Sequence, residues 1–172
     1  TAIAQSLSFK ISVPPRPLLG NFLTPGEPDA LADWLLEAGE TADCAVISLE
    51  MLAYGGLVAS RTAAVVLTDV LKRLDVINEL HSRYPHLRIF LSSVIMRSSI
   101  TVSSDATRKY WELVNQFSIL ADREGADAPE TRKVKDQIPE KVLAEYLKAR
   151  GRNHAVNQAA LEFVRTGDAE FL

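Results

Sequence analysis

Cysteine is almost absent from the sequence, with Cys44 as the single example. Because one cysteine cannot form an internal disulfide, the chain lacks the covalent framework of small secreted proteins. Cys44 stands in an apolar run, CAVI, so we expect a buried, reduced thiol. This pattern is typical of a reducing compartment, and we expect a cytoplasmic protein.

Long apolar runs and concentrated positive charge are also missing. No run approaches the roughly 20 apolar residues that a membrane-spanning helix needs, and no signal peptide is recognisable. The 19 basic residues are scattered, the net charge is −3, and no basic run alternates with aromatic residues. We therefore expect neither a membrane nor a nucleic acid as a partner.

The familiar cofactor and nucleophile motifs do not occur. The sequence contains no Gly-x-Gly-x-x-Gly, no Gly-Lys-Ser/Thr of the Walker type and no Gly-x-Ser-x-Gly elbow. Its His, Cys, Asp and Glu residues show no metal-ligand spacing. We therefore expect no cofactor and no bound metal.

The composition that remains is that of an ordinary globular domain. With 47% hydrophobic and 24% charged residues, 172 residues suit a single domain spanning 1–172. Apolar runs of strand length alternate with segments of helical periodicity, and Thr68 and Ser104 are predicted helix caps. Strands are predicted at 8–13, 43–49 and 85–96. Helices are predicted at 28–38, 68–80, 104–124, 139–151 and 153–167, with an exposed loop or lid at 125–137.

Alternation of this kind predicts an α/β fold, a parallel sheet of βα units with flanking helices. An open Rossmann-like three-layer sheet and an arc of a TIM-type barrel both satisfy it. The continuous apolar run at 43–49 indicates a strand covered on both faces. The first residues resemble the end of a helix and the last ones the start of a strand, so we expect a truncated part of a larger domain. Its unpaired sheet edges would let copies of the chain form a homo-oligomer.

Both folds place functional sites at the carboxyl ends of their strands, where the stretch SLEMLAYGGLVASR begins. Glu50 is expected in the last turn of the strand as a general base, a hydroxyl ligand or a cation ligand. The structural alternative is that Glu50 pairs with Arg61 or with a backbone amide. Gly55 and Gly56 permit positive φ, either to present amides to an anion or only to form a turn. Tyr54 either contacts a ligand or packs at the rim.

Arginines follow the predicted strands in turn: Arg16 after the first, Arg61 after the second and Arg97 after the third. Since arginine forms a planar fork suited to carboxylate or phosphate, these residues are candidates for binding a small polar or anionic ligand. Asn153 and Asn157 lie one helical turn apart. They either bond locally or present their amides to a polyol.

Four segments carry a resemblance to a known family: PPRPLLGNFLTPGEPDALADWL, VISLEMLAYGGLVASR, SSVIMRSS and GRNHAVNQAALEFVRTGDAEFL. Together they resemble a bacterial family, domain of unknown function 4127, across nearly the whole chain, and LAYGGLVASR is the most specific part. In that family an Asp usually occupies the place of Glu50. The resemblance also implies an earlier strand that ends in an Asp- and Arg-rich segment and a later strand that leads into paired aspartates, both at the same edge. The family has no assigned reaction.

Two classes of function follow. The first is a hydrolase-like enzyme that acts on a small polar or saccharide-like substrate, with Glu50 in acid–base catalysis and the arginines orienting the substrate. The second is a non-catalytic ligand-binding or interaction domain that uses the same loops. Paired carboxylates, one with a raised pKa, would favour the enzyme. A flat, apolar strand edge would favour the binding domain.

Overall fold

Helices account for most of the structure and pack against one short parallel sheet. The computed structural model describes residues 10–102 and 105–172. The strands are β1 (Cys44–Ser48) and β2 (Arg88–Ser92). In chain order the α-helices are α1 (Pro28–Gly39), α2 (Leu49–Tyr54), α3 (Leu67–Leu74), α4 (Val76–Arg83), α5 (Asp105–Glu124), α6 (Pro129–Lys135) and α7 (Glu140–Thr166), and 3₁₀ turns occur at Arg16–Leu19 and Ala59–Arg61.

β1 and β2 pair in parallel, with Cys44 opposite Arg88 and Ser48 opposite Ser92. The end of the chain joins the same sheet, because Phe171 forms a parallel bridge with Phe90. The predicted α/β class with a parallel sheet is therefore confirmed, whereas the three-layer sheet and the barrel arc stay predictions. Of the strand predicted at 8–13, residues 8 and 9 lie outside the described residues, and 10–13 do not form a strand.

The described helices cover one face of this sheet. Ile47 is buried, while Val46 is 78% exposed and Cys44 is exposed on the other side of β1. Alternate residues of a strand point to opposite faces, so one-sided cover leaves every second side chain in solvent. The predictions of a strand covered on both faces and of a buried Cys44 thiol are wrong for the described part of the chain.

Two hydrophobic clusters hold the fold together, and α7 contributes to both. The first cluster packs the sheet against α1 to α4 and includes Ile47, Ile77, Leu80 and Ile89. The second packs α5 against α6 and includes Val114, Phe117 and Val134. From α7, the second cluster takes Leu143, Tyr146 and Ala149, and the first takes Val156, Ala160 and Phe163.

This double anchorage explains why the predicted break at Gly151 is wrong. The segments 139–151 and 153–167 were expected to be separate helices, yet Glu140–Thr166 is one helix. A glycine inside a helix costs only about 1 kcal/mol relative to alanine. Burial of apolar side chains on both sides of Gly151 outweighs that cost. The predicted stop at Gly167 is confirmed, with φ +87°.

Several predicted boundaries shift. The helix at 28–38 is confirmed as α1, and the helix predicted to run to Glu124 is confirmed from Asp105 onward, its proposed cap Ser104 lying outside the described residues. The Thr68 cap is wrong: α3 begins at Leu67, and Asp75 separates it from α4.

The segment 125–137 contains a helix rather than only a loop or lid. Pro129 opens α6, a position at which the missing proline N–H costs nothing. Thr131 and Val134 are buried one turn apart against α5. None of the helices in the described ranges combines the length and the apolar character needed to cross a bilayer.

Candidate functional site

The strand-to-helix junction after β1 places Glu50 inside a helix. Ser48 ends the strand, and its hydroxyl accepts a hydrogen bond from the Met51 amide, which caps α2. Glu50 therefore lies in the first turn of α2, where a carboxylate is favourable. The expectation that Glu50 lies in the last turn of the strand is wrong, because the cap starts the helix at once.

Glu50 is only 6% exposed and links two loops at the carboxyl edge of the sheet. Its Oε1 accepts a hydrogen bond of 2.7 Å from the Val94 amide and one of 3.5 Å from the Ser93 hydroxyl. The Ser48 hydroxyl donates to Oε2 at 3.4 Å. Among the described residues Glu50 forms no ion pair, so the suggested pairing with Arg61 is wrong and a backbone amide is the partner.

We expect Glu50→Ala to lower the free energy of unfolding by about 1–3 kcal/mol, because the Val94 amide would lose its acceptor. Glu50→Gln keeps a side-chain oxygen that can accept this bond, so its free energy of unfolding should fall by less. Urea unfolding of both variants measures the difference, with Glu37→Ala on the exposed side of α1 as the control. Wild-type stability for Glu50→Ala would show that the bond to Val94 contributes nothing.

Gly55 and Gly56 form a turn whose amides are already occupied. The Gly55 amide donates to the Met51 carbonyl at 2.9 Å, and the Gly56 amide donates to the Glu50 carbonyl at 3.0 Å. Gly55 has φ +77° and its carbonyl accepts from the Gly26 amide at 2.8 Å. The geometry thus matches the structural alternative, a turn that packs against the proline-rich loop, and not an amide site for an anion.

Tyr54 packs into the core and stacks on a residue that sequence reasoning missed. The side chain is 3% exposed, and its hydroxyl has no hydrogen-bond partner in the described part of the chain. Burial raises the pKa of the Tyr54 phenol, and the charge of Arg152 opposes that shift. The Arg152 guanidinium lies 4.4 Å from the centre of the Tyr54 ring, within cation–π distance.

Arg152 is a buried arginine whose guanidinium donates hydrogen bonds to backbone carbonyls of the loop at 60–65. It is 6% exposed and donates to the carbonyls of Ser60, Thr62 and Val65. Within the described ranges it has no carboxylate partner. The sequence contained one signal for it. Arg152 follows the apolar spacing of α7, whose buried stripe includes Ala149, Val156 and Ala160.

The two asparagines also contact loops, and the Asn153 side-chain oxygen accepts from Arg152 of the same helix at 3.4 Å. The Asn153 side-chain nitrogen donates to the Ser60 carbonyl at 2.8 Å and lies 3.3 Å from the Met96 sulfur. The Asn157 side-chain nitrogen donates to the Ser93 hydroxyl at 2.6 Å, and this hydroxyl in turn donates to Glu50. Local bonding is thus present at Asn153, and the other contacts of the two asparagines connect α7 to the loops that follow β1 and β2.

Of the three candidate arginines, two stand in loops that meet at Asn153, whose side-chain nitrogen contacts Ser60 and Met96, the residues before Arg61 and Arg97. Arg61 ends the second 3₁₀ turn and is half-buried. Desolvation lowers the pKa of Arg61, and the nearby positive charge of Arg97 lowers it further. Arg97 is exposed and donates to the Ile100 carbonyl at 2.7 Å. Arg16 lies exposed on the first 3₁₀ turn, where its side chain bonds to none of the described residues.

Two surface grooves border the loops that follow the strands, one reaching Ser98 and the other reaching Thr62. One of about 510 Å³ lies between α5 and α7, and one of about 490 Å³ lies beside Thr62 and Lys148. Neither is lined by Glu50, Arg61 or Arg97. Nowhere in residues 10–102 and 105–172 do three His, Cys, Asp or Glu side chains gather as a metal site would require.

The molecule is thus a mixed α/β protein with a parallel strand pair, and the two loops that follow these strands meet at α7. The chain belongs to the family described as protein of unknown function (DUF4127), whose sequence model matches residues 1–172. The family resemblance predicted from the sequence is therefore confirmed. No curated protein and no solved structure matches the chain.

Proposed function

We propose that the protein binds a small anionic ligand, one that carries a phosphate or carboxylate group, between Arg61 and Arg97. The observation that supports this is that Ser60 and Met96, the residues before the two arginines, both contact the Asn153 side-chain nitrogen, while neither arginine has an acidic partner among the described residues. Like charges held together repel each other, and partial burial of Arg61 adds a desolvation cost. A bound anion would offset both.

Three other arginines of the chain, Arg73, Arg88 and Arg165, have a counter-charge beside them. Arg88 forms a bidentate ion pair with Glu170, in which both N–O distances are 2.8 Å. The Arg73 Nε lies 3.3 Å from Oδ1 of Asp29. Arg165 pairs with Glu162. In the described part of the chain, the Arg61 side chain has neither an ion pair nor a hydrogen bond. Its guanidinium therefore keeps all its donors available for a planar oxyanion.

Binding agrees with the geometry better than hydrolysis does. A hydrolase-like mechanism would use Glu50 as acid or base, and in its favour no basic side chain of the described residues neutralises that carboxylate. However, Oε1 is engaged with the Val94 amide and the side chain is almost fully buried. A carboxylate in this position orders the loop after β2 and gives a substrate little access.

Titration with inorganic phosphate tests the proposal. We expect Arg61→Met and Arg97→Met each to weaken phosphate binding by about 10- to 100-fold, because a charge-assisted hydrogen bond contributes about 1.5–3 kcal/mol. Arg61→Met should also leave the stability of the free protein unchanged or raise it slightly, since the repulsion disappears.

Arg83→Met is the matched control, because Arg83 is exposed on α4 beside Glu79. Its phosphate affinity should equal that of the wild type. Failure of the wild-type protein to bind phosphate, or equal affinity in all three variants, would refute the arginine-pair site.

A further inference from the structure

We infer that Asn153 is a positioning residue, which sets the placement of Arg61 relative to Arg97; this inference rests on the proposed function. A single side chain of α7 contacts both arginine-bearing segments. Its amide donates to the carbonyl of Ser60, the residue before Arg61. The same nitrogen lies 3.3 Å from the sulfur of Met96, the residue before Arg97.

The chemistry of the amide makes this bridge directional. An asparagine side-chain nitrogen carries two hydrogens in one plane, so its two donors point in defined directions. One hydrogen serves the Ser60 carbonyl, and the Met96 sulfur is a weak acceptor for the other. Because Asn153 is only 6% exposed, water has little access to either partner.

Neighbouring residues of α7 reinforce the bridge from both sides. Arg152 donates to the carbonyls of Ser60 and Thr62, which flank Arg61. Arg150 donates to the Met96 carbonyl at 2.9 Å, next to Arg97. The segment 150–153 thus contacts the backbone of both arginine-bearing loops.

This segment is a rigid base for the two loops. It lies at the middle of α7, and the two halves of that helix are anchored in different hydrophobic clusters. Groups supported by a packed helix keep their geometry better than groups supported by loops alone. The separation of the two guanidiniums therefore depends on α7 and not only on the sheet edge.

A double-mutant cycle distinguishes positioning from plain structural support. Phosphate affinity is measured for the wild type, Asn153→Ala, Arg97→Met and the double variant. We expect Asn153→Ala to weaken binding about tenfold, since small misplacements of a binding group are costly. In the Arg97→Met background the same change should cost no more than about twofold, because only one arginine remains to be placed.

Gln158→Ala is the control, because it removes an exposed amide from the same helix and should leave affinity unchanged. Met96→Leu is a milder test, because it removes the sulfur acceptor at nearly constant volume. It serves as the test variant if Asn153→Ala does not fold. It should weaken phosphate binding about threefold.

The outcomes separate the two proposals. A wild-type protein that does not bind phosphate overturns the proposed function and this inference with it. If the wild type binds and Arg97→Met weakens binding, then unchanged affinity in Asn153→Ala and Met96→Leu overturns the inference alone. An equal loss from Asn153→Ala with and without Arg97 also overturns it, because the residue would then act independently of the arginine pair.

Discussion

Gly55→Ala should lower the free energy of unfolding by about 2–5 kcal/mol. A left-handed backbone costs a residue with a Cβ roughly 1–2 kcal/mol, and forcing extra atoms into a packed site costs roughly 1–3 kcal/mol more. Both apply here. The φ of Gly55 is +77°, and an added Cβ would lie 2.6 Å from the backbone nitrogen of Gly26. Because the Cβ is fixed to the Gly55 backbone and its neighbour is the Gly26 backbone, the contact cannot be relieved without opening the turn.

Gly167→Ala separates the two contributions. Gly167 also ends a helix in the left-handed conformation, with φ +87°, but an added Cβ there would meet no described atom within 4 Å. Only the backbone cost of roughly 1–2 kcal/mol should appear. Urea unfolding of both variants measures the difference. Equal losses would show that the contact between Gly55 and Gly26 does not constrain the fold.

Arg152→Met should cost about 3 kcal/mol of stability, the second of the large effects. Two contributions oppose each other. Removing a buried cation recovers its desolvation penalty, whereas the carbonyls of Ser60, Thr62 and Val65 lose their shared donor. We expect the loss to dominate, because each hydrogen bond to a charged group contributes about 1.5–3 kcal/mol and the stacking on Tyr54 also disappears.

Two further variants make the result interpretable. Arg152→Lys keeps the charge but lacks the planar fork, so its stability should fall between those of the wild type and Arg152→Met. Arg165→Met removes an exposed arginine from the same helix and should change stability by less than about 0.5 kcal/mol. An Arg152→Met protein as stable as the wild type would mean that the loop carbonyls are adequately solvated without the guanidinium.

The sequence by itself determined the class of the fold and the placement of some of its regular elements. Apolar runs of strand length located β1 and β2, and helical periodicity located α1 and most of α5, because these signals depend on neighbouring residues. The glycine after α7 ended that helix as predicted, since a left-handed cap is a local property. The family membership was also visible in short sequence segments.

Only the tertiary structure decided which residues far apart in the sequence form hydrogen bonds with each other. Glu50 bonds to Val94, 44 positions away, and Arg152 reaches Ser60 from another part of the chain. No local pattern encodes such contacts, because they depend on how the two clusters are packed around α7. The same packing keeps α7 continuous through Gly151, where local propensity favoured a break. It also left one face of β1 exposed, because burial depends on which helices reach the sheet and not on how apolar the strand is.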